Sequence, residues 1–252
     1  MKEKIKEIVN KKAFHVIVIT VIILALLFIL GITILDYGEN GEKNLPFNIS
    51  KISVISTSEG IDKESEGNKW AFDISQNNDI YVYIEKNKNY EKTETIQSIV
   101  FDNFIFNKQK DIGETKIFKP DATSEKQIFT NKEENVDNII QYIAGTESNF
   151  KKLQISNQGD VLAFRVANVN IASYESNEEE TINHSELLKK SGLTMDDLKG
   201  TLSFDVTINL NGGKSFKGTV SIEIPVGDVL ENATTNLEIT DFSNVVFKRI
   251  KN

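Results

Sequence analysis

The chain contains no cysteine, so disulfides, thiolate metal ligands, thiol nucleophiles and lipid-modified cysteines are all excluded. Histidine is nearly as scarce, with only His15 and His184, which leaves zinc chemistry without its usual nitrogen and sulfur donors. The P-loop, G-x-S-x-G and H-E-x-x-H patterns are missing. Asp and Glu total 37, but no pair is singled out by position as a glycosidase acid and base, so they read as a solvated acidic surface. We therefore expect no enzyme, cofactor or metal centre. The oxygen-rich loops Asn77-Asn78-Asp79 and Asn157-Gln158-Gly159-Asp160 could hold calcium, but they lack EF-hand spacing and read first as β-turns. His184 reads as a lone surface histidine.

Formal charge is absent from residues 13–35, AFHVIVITVIILALLFILGITIL. As a helix rising about 1.5 Å per residue this run reaches roughly 35 Å, enough to cross the roughly 30 Å hydrocarbon layer of a bilayer. It is longer than the 7–15 residues of a signal-peptide core, and no small-x-small cleavage pattern follows it, so an uncleaved anchor is expected. His15 then lies at the membrane interface. Lys2, Lys4, Lys6, Lys11 and Lys12 outnumber Glu3 and Glu7 ahead of the run, whereas Asp36, Glu39 and Glu42 follow it. This bias places residues 1–12 in the cytoplasm and residues 45–252 outside the cell membrane. The head carries +3 and the whole chain −8, so the part beyond Leu35 carries −11 and disfavours nucleic acid as a partner. Gly38 and Gly41 should stop the helix and make residues 36–44 a linker. A pilin-like subunit fits poorly. Its pattern would start at Ala13-Phe14 but finds Val18 where glutamate belongs, and its helix should run well past the membrane.

Proline occurs three times and no Pro/Ser-rich seam divides the remaining two hundred residues. Strand patterns fill them instead. Leu202, Phe204, Val206, Ile208 and Leu210 alternate with polar residues, Asn211-Gly212-Gly213 supplies a turn, and Phe216 to Ile224 alternate back, predicting a hairpin. A second hairpin is expected from Trp70, Phe72 and Ile74, a Gln76-Asn77-Asn78-Asp79 turn, and Ile80, Val82 and Ile84. Leu153-Gln154-Ile155 should turn back into residues 161–169, which are apolar on both faces except at Arg165 and Asn168 and so suit an internal strand. Further strands are expected at 49–56, 96–106, 115–118, 127–130, 139–143 and 245–250. Ser185 and Thr194 begin two short helical turns that end at Gly192 and Gly200, after a mobile acidic loop at residues 178–180. The fold class is mainly β, an antiparallel β-sandwich of Ig-like or jelly-roll type behind one N-terminal transmembrane helix.

Only Arg165 and Arg249 are arginine among the 29 basic residues, and Asn, Ile and Glu are abundant, the bias of an AT-rich genome. A cysteine-free outer domain suits a bacterium. The basic head, the span and the segments Leu45-Pro46-Phe47-Asn48-Ile49-Ser50-Lys51-Ile52, Gln76-Asn77-Asn78-Asp79-Ile80-Tyr81-Val82-Tyr83-Ile84-Glu85 and Ile239-Thr240-Asp241-Phe242-Ser243-Asn244-Val245-Val246-Phe247-Lys248-Arg249 resemble uncharacterised single-span proteins of clostridia-type Gram-positive bacteria. The resemblance implies a compartment and no activity.

Binding is the function class that remains. Tyr81 and Tyr83 should project opposite Ile80, Val82 and Ile84, with Trp70 as a third aromatic, and such side chains can stack on sugar rings. We expect a non-enzymatic binding or structural module of a bacterial cell envelope, partnered with the bilayer through residues 13–35. A cell-wall or other carbohydrate partner is the alternative to a protein partner.

Overall fold

The computed structural model describes residues 2–178 and 180–251, with side chains from Asn10 onward. It divides into two compact units, Met1–Lys43 and Asn44–Asn252. Glu179, within the expected acidic loop, lies outside the described residues.

The first unit is a single helix, α1 (Lys2–Asn40). Its segment Asn10–Asn40 is long and apolar enough to cross a membrane, and none of its most apolar stretch is buried against protein. Gly38 does not stop this helix. The chain stays helical to Asn40, whose side-chain amide donates to Asp36 Oδ1 at 2.7 Å. Gly41 closes the end by standing at φ +65° and donating its N–H to Tyr37 O at 2.9 Å. A glycine in a helix costs only about 1 kcal/mol, which neighbouring turns offset. The helix therefore runs five residues into the expected linker.

The second unit is mainly β. Its strands are β1 (Phe47–Lys63), β2 (Ala71–Lys86), β3 (Ile96–Lys108), β4 (Glu114–Phe118), β5 (Ile140–Gly145), β6 (Gln154–Ser156), β7 (Gly159–Glu175), β8 (Gly200–Leu210), β9 (Ser215–Glu223), β10 (Thr234–Ile239) and β11 (Lys248–Ile250). They form a five-stranded sheet, β10-β1-β2-β7-β4, and a six-stranded sheet, β11-β9-β8-β3-β5-β6. Every pair is antiparallel except β5 with β6. Alternating apolar residues from both sheets meet in one core. Phe101 and Phe204 of the second sheet pack on Phe164 of the first with ring centroids 5.2 and 5.1 Å away. The two sheets thus form a sandwich. Burial of each such ring contributes about 1.5–3 kcal/mol.

The β8–β9 hairpin forms in the expected register, Leu202 opposite Ile222 and Ile208 opposite Phe216. Gly213 supplies the positive φ of +77° in its turn. The other expected hairpins do not form. Residues 76–79 are not a turn but the middle of β2, hydrogen-bonded to β1 on one side and β7 on the other. Polar side chains there find partners inside the sheet: Ser56 Oγ donates to Asn78 Oδ1 at 2.5 Å, and Asn78 Nδ2 donates to Val166 O at 3.1 Å. Tertiary context overrides turn propensity. Opposite Ser75, β7 bulges around Asn170, which stands at φ +56°. β6 does not pair with β7; it runs parallel to β5 in the other sheet, and the Asn157–Gly159 connection crosses between sheets. β7 is internal, as its two apolar faces require. Residues 127–130 form no strand, and of residues 245–250 only Lys248–Ile250 pairs.

The two helical turns are present as α2 (Leu187–Lys190) and α3 (Met195–Leu198). The turn before α2 is capped by Asn183, whose Oδ1 accepts from the Ser185 N–H and hydroxyl, instead of by Ser185. With an unanticipated α4 (Gly227–Asn232) they bury Leu187, Leu188, Leu198 and Val229 against Phe72, Ile74 and Ile171. This smaller core covers one end of the sandwich.

Candidate binding cleft

Odd-numbered residues of β2 point away from the main core. Asn77, Asp79 and Tyr81 form the floor of a cleft of about 420 Å³, with Thr57 and Glu59 of β1 beside them and Arg165 of β7 across from them. Its roof is the tip of the segment that follows β4, including Lys126, Phe129 and Asn131.

This segment is held shut at its base. Lys119 N–H donates to Glu133 O at 2.9 Å, Asn135 N–H to Ile117 O at 2.7 Å, and Asp121 N–H to Ile128 O at 2.7 Å. Asp121 organises the interior. Its carboxylate accepts from the Thr123 hydroxyl at 2.6 Å, the Thr130 hydroxyl at 2.6 Å and the Thr123 N–H at 2.8 Å. Those bonds, the Thr123 hydroxyl first, hold the carboxyl down at about 2. Lys151 braces the segment from outside by donating to Gln127 O at 2.8 Å and to Ser124 O.

Within the cleft Arg165 makes a two-point bond to Asp79, Nε to Oδ1 at 2.5 Å and Nη2 to Oδ2 at 3.0 Å. Register explains the pairing, since the two residues stand directly opposite on β7 and β2. Burial pushes the Asp79 carboxyl up and the guanidinium opposes that shift. The guanidinium thus bonds both carboxylate oxygens of Asp79. The guanidinium also lies 5.0 Å over the Phe129 ring and donates from Nη1 to Asn131 Oδ1 at 2.8 Å. Asn131 stands at φ +57°, a conformation asparagine tolerates, and its Nδ2 donates to Glu59 Oε2 at 2.9 Å. One amide therefore clasps the roof to a carboxylate on β1 and a cation on β7. Asn77 Nδ2 donates to the same Glu59 oxygen at 2.6 Å. Its Oδ1 is buried and has no hydrogen-bond partner among the described residues. An acceptor left so costs about 1–3 kcal/mol.

The three aromatics expected to act together are separated. Tyr81 is in the cleft, half-buried, its hydroxyl pushed up to about 12 by burial first and the Asp79 charge second. Tyr83, two residues along the same face, is outside it and lies under Lys51 Nζ at 4.4 Å. Trp70 precedes β2, is 53% exposed and does not line the cleft. Eleven residues of strand put it roughly 36 Å from Tyr81. His184 is exposed and meets Phe72 edge-on at 5.3 Å. Among the described residues no three His, Asp or Glu side chains gather to hold a metal ion.

Sequence reasoning missed Glu59, Asn131 and the role of Asp79. Arg165 was visible as a charge interrupting an apolar strand, and a buried charge requires a partner. Asp79 was hidden by its resemblance to turn sequence. No family model, curated protein or solved structure matches the chain.

Proposed function

We propose that the protein is a non-enzymatic binding module of a clostridia-type Gram-positive cell envelope, tethered by residues 13–35 with its N-terminus in the cytoplasm and its β unit outside. One observation carries the reading: a chain with a membrane-length apolar helix also has a separately packed β unit with a ligand-sized polar cleft. The lysine-rich head and acidic β unit support the orientation. The β unit serves as a receptor surface and the helix fixes it at the bilayer.

A carbohydrate partner is favoured over a protein partner by the position of Tyr81, whose ring packs against the small Phe118, Phe129, Ala163 and Ala167 cluster while its edge lines the cleft beside free polar groups. The test is protease treatment of intact protoplasts. The β unit should be digested while a fragment containing α1 survives. Survival of the β unit under conditions that cleave a known external domain would contradict the topology.

A further inference from the structure

The cleft presents a mixed set of unused polar groups. The Tyr81 and Thr57 hydroxyls, Glu59 Oε1 and the Lys126 ammonium border it, and no hydrogen bond or ion pair from the described residues engages them. Its charges cancel, because Glu59 and Asp79 face Arg165 and Lys126. The rest of the unit is acidic. An anion gains little in such a place, and a cation meets two positive groups. A neutral molecule that both donates and accepts hydrogen bonds, with an apolar face for Tyr81 or Phe129, uses every group present.

Asn77 adds an independent pointer. It is 2% exposed, it lines the cleft floor and its Oδ1 has no donor among the described residues. That oxygen is closed to solvent in this structure, so a ligand reaches it only by displacing what covers it. A hydroxyl hydrogen supplied by the ligand meets its need.

We infer that the cleft between β1, β2, β7 and the segment after β4 binds a neutral saccharide, with Tyr81 and Asn77 on its floor and Glu59 beside them. The inference rests on reading the cleft as the chain's binding site. A volume of about 420 Å³ suits a small ligand.

The experiment titrates the full chain, held in a sugar-free zwitterionic detergent, with a panel of neutral mono- and disaccharides of glucose and N-acetylglucosamine. Saturable millimolar or tighter binding is expected, weakened about 3- to 10-fold by Tyr81→Phe and Glu59→Gln and unchanged by Tyr83→Phe. Matching melting curves show that the variants fold. Absence of saturable binding, or binding indifferent to Tyr81→Phe and Glu59→Gln, overturns the inference. A photo-crosslinking amino acid at position 126 in living cells separates the two readings. A specific protein adduct without saccharide binding overturns the sugar and leaves a binding cleft, whereas no adduct and no saccharide binding overturns both.

Discussion

Arg165 concentrates the polar organisation of the cleft in one side chain, joining Asp79, Asn131 and Phe129. Removing one member of a buried ion pair strands the other, at about 3–5 kcal/mol. Arg165→Met should therefore lower stability by about that amount in urea unfolding. The double variant Arg165→Met with Asp79→Leu should be less destabilised than Arg165→Met alone, because no charge is left stranded. Tyr142 offers a second test. Its buried hydroxyl donates to Ala163 O at 2.7 Å and accepts from Ala163 N–H at 3.0 Å, satisfying a stretch of β7 that β4 does not reach. Tyr142→Phe should cost about 1–3 kcal/mol with an unchanged denaturant slope. Arg165 stood out in the sequence as the charge in an apolar strand, whereas Tyr142 looked like any strand tyrosine. Hydrophobic alternation reports which face a residue takes, but not which main-chain groups on a neighbouring sheet lack a partner.

Strands with strong alternation were legible even where their partners are distant, as β3 and β4 show, but the pairing itself was legible only for β8 with β9. The β8–β9 hairpin carries its own turn signal in Asn211-Gly212-Gly213. β2 does not, because its polar middle becomes strand only between β1 and β7. β10 and α4 escaped notice because their short patterns acquire meaning against β1 and the smaller core. The roof segment has no helix or strand beyond the bridge of Glu134 to Phe118, and Asp121 organises it by bonding Thr123 and Thr130. Its carboxyl is held at about 2 in the folded segment against 3.8 when free. The folded segment is therefore favoured fully above about pH 4, and that advantage is lost as pH falls toward 2. Hydrogen exchange should show residues 119–134 losing protection across that window, and Asp121→Asn should remove the pH dependence. At β7, Gly159 stands at φ +106° with Ile84 O 2.4 Å from where a Cβ would sit. Gly159→Ala should destabilise the sandwich by at least about 1–3 kcal/mol, seen as a lower melting temperature.

At the scale of the whole molecule, the long apolar helix was legible, because a run without charge is a stronger signal than any strand pattern. The cleft was not legible, since it is assembled from β1, β2, β7 and a loop more than a hundred residues apart at their extremes. We propose that this cleft is displayed on the outer side of the membrane. The lack of cysteine makes a direct measurement possible, because a single introduced thiol is the only one in the chain. Lys126→Cys at the cleft and Lys11→Cys in the basic head would each be exposed to a membrane-impermeant maleimide on intact protoplasts. Labelling is expected at position 126 before lysis and at position 11 only after it; the reverse pattern would contradict an external cleft.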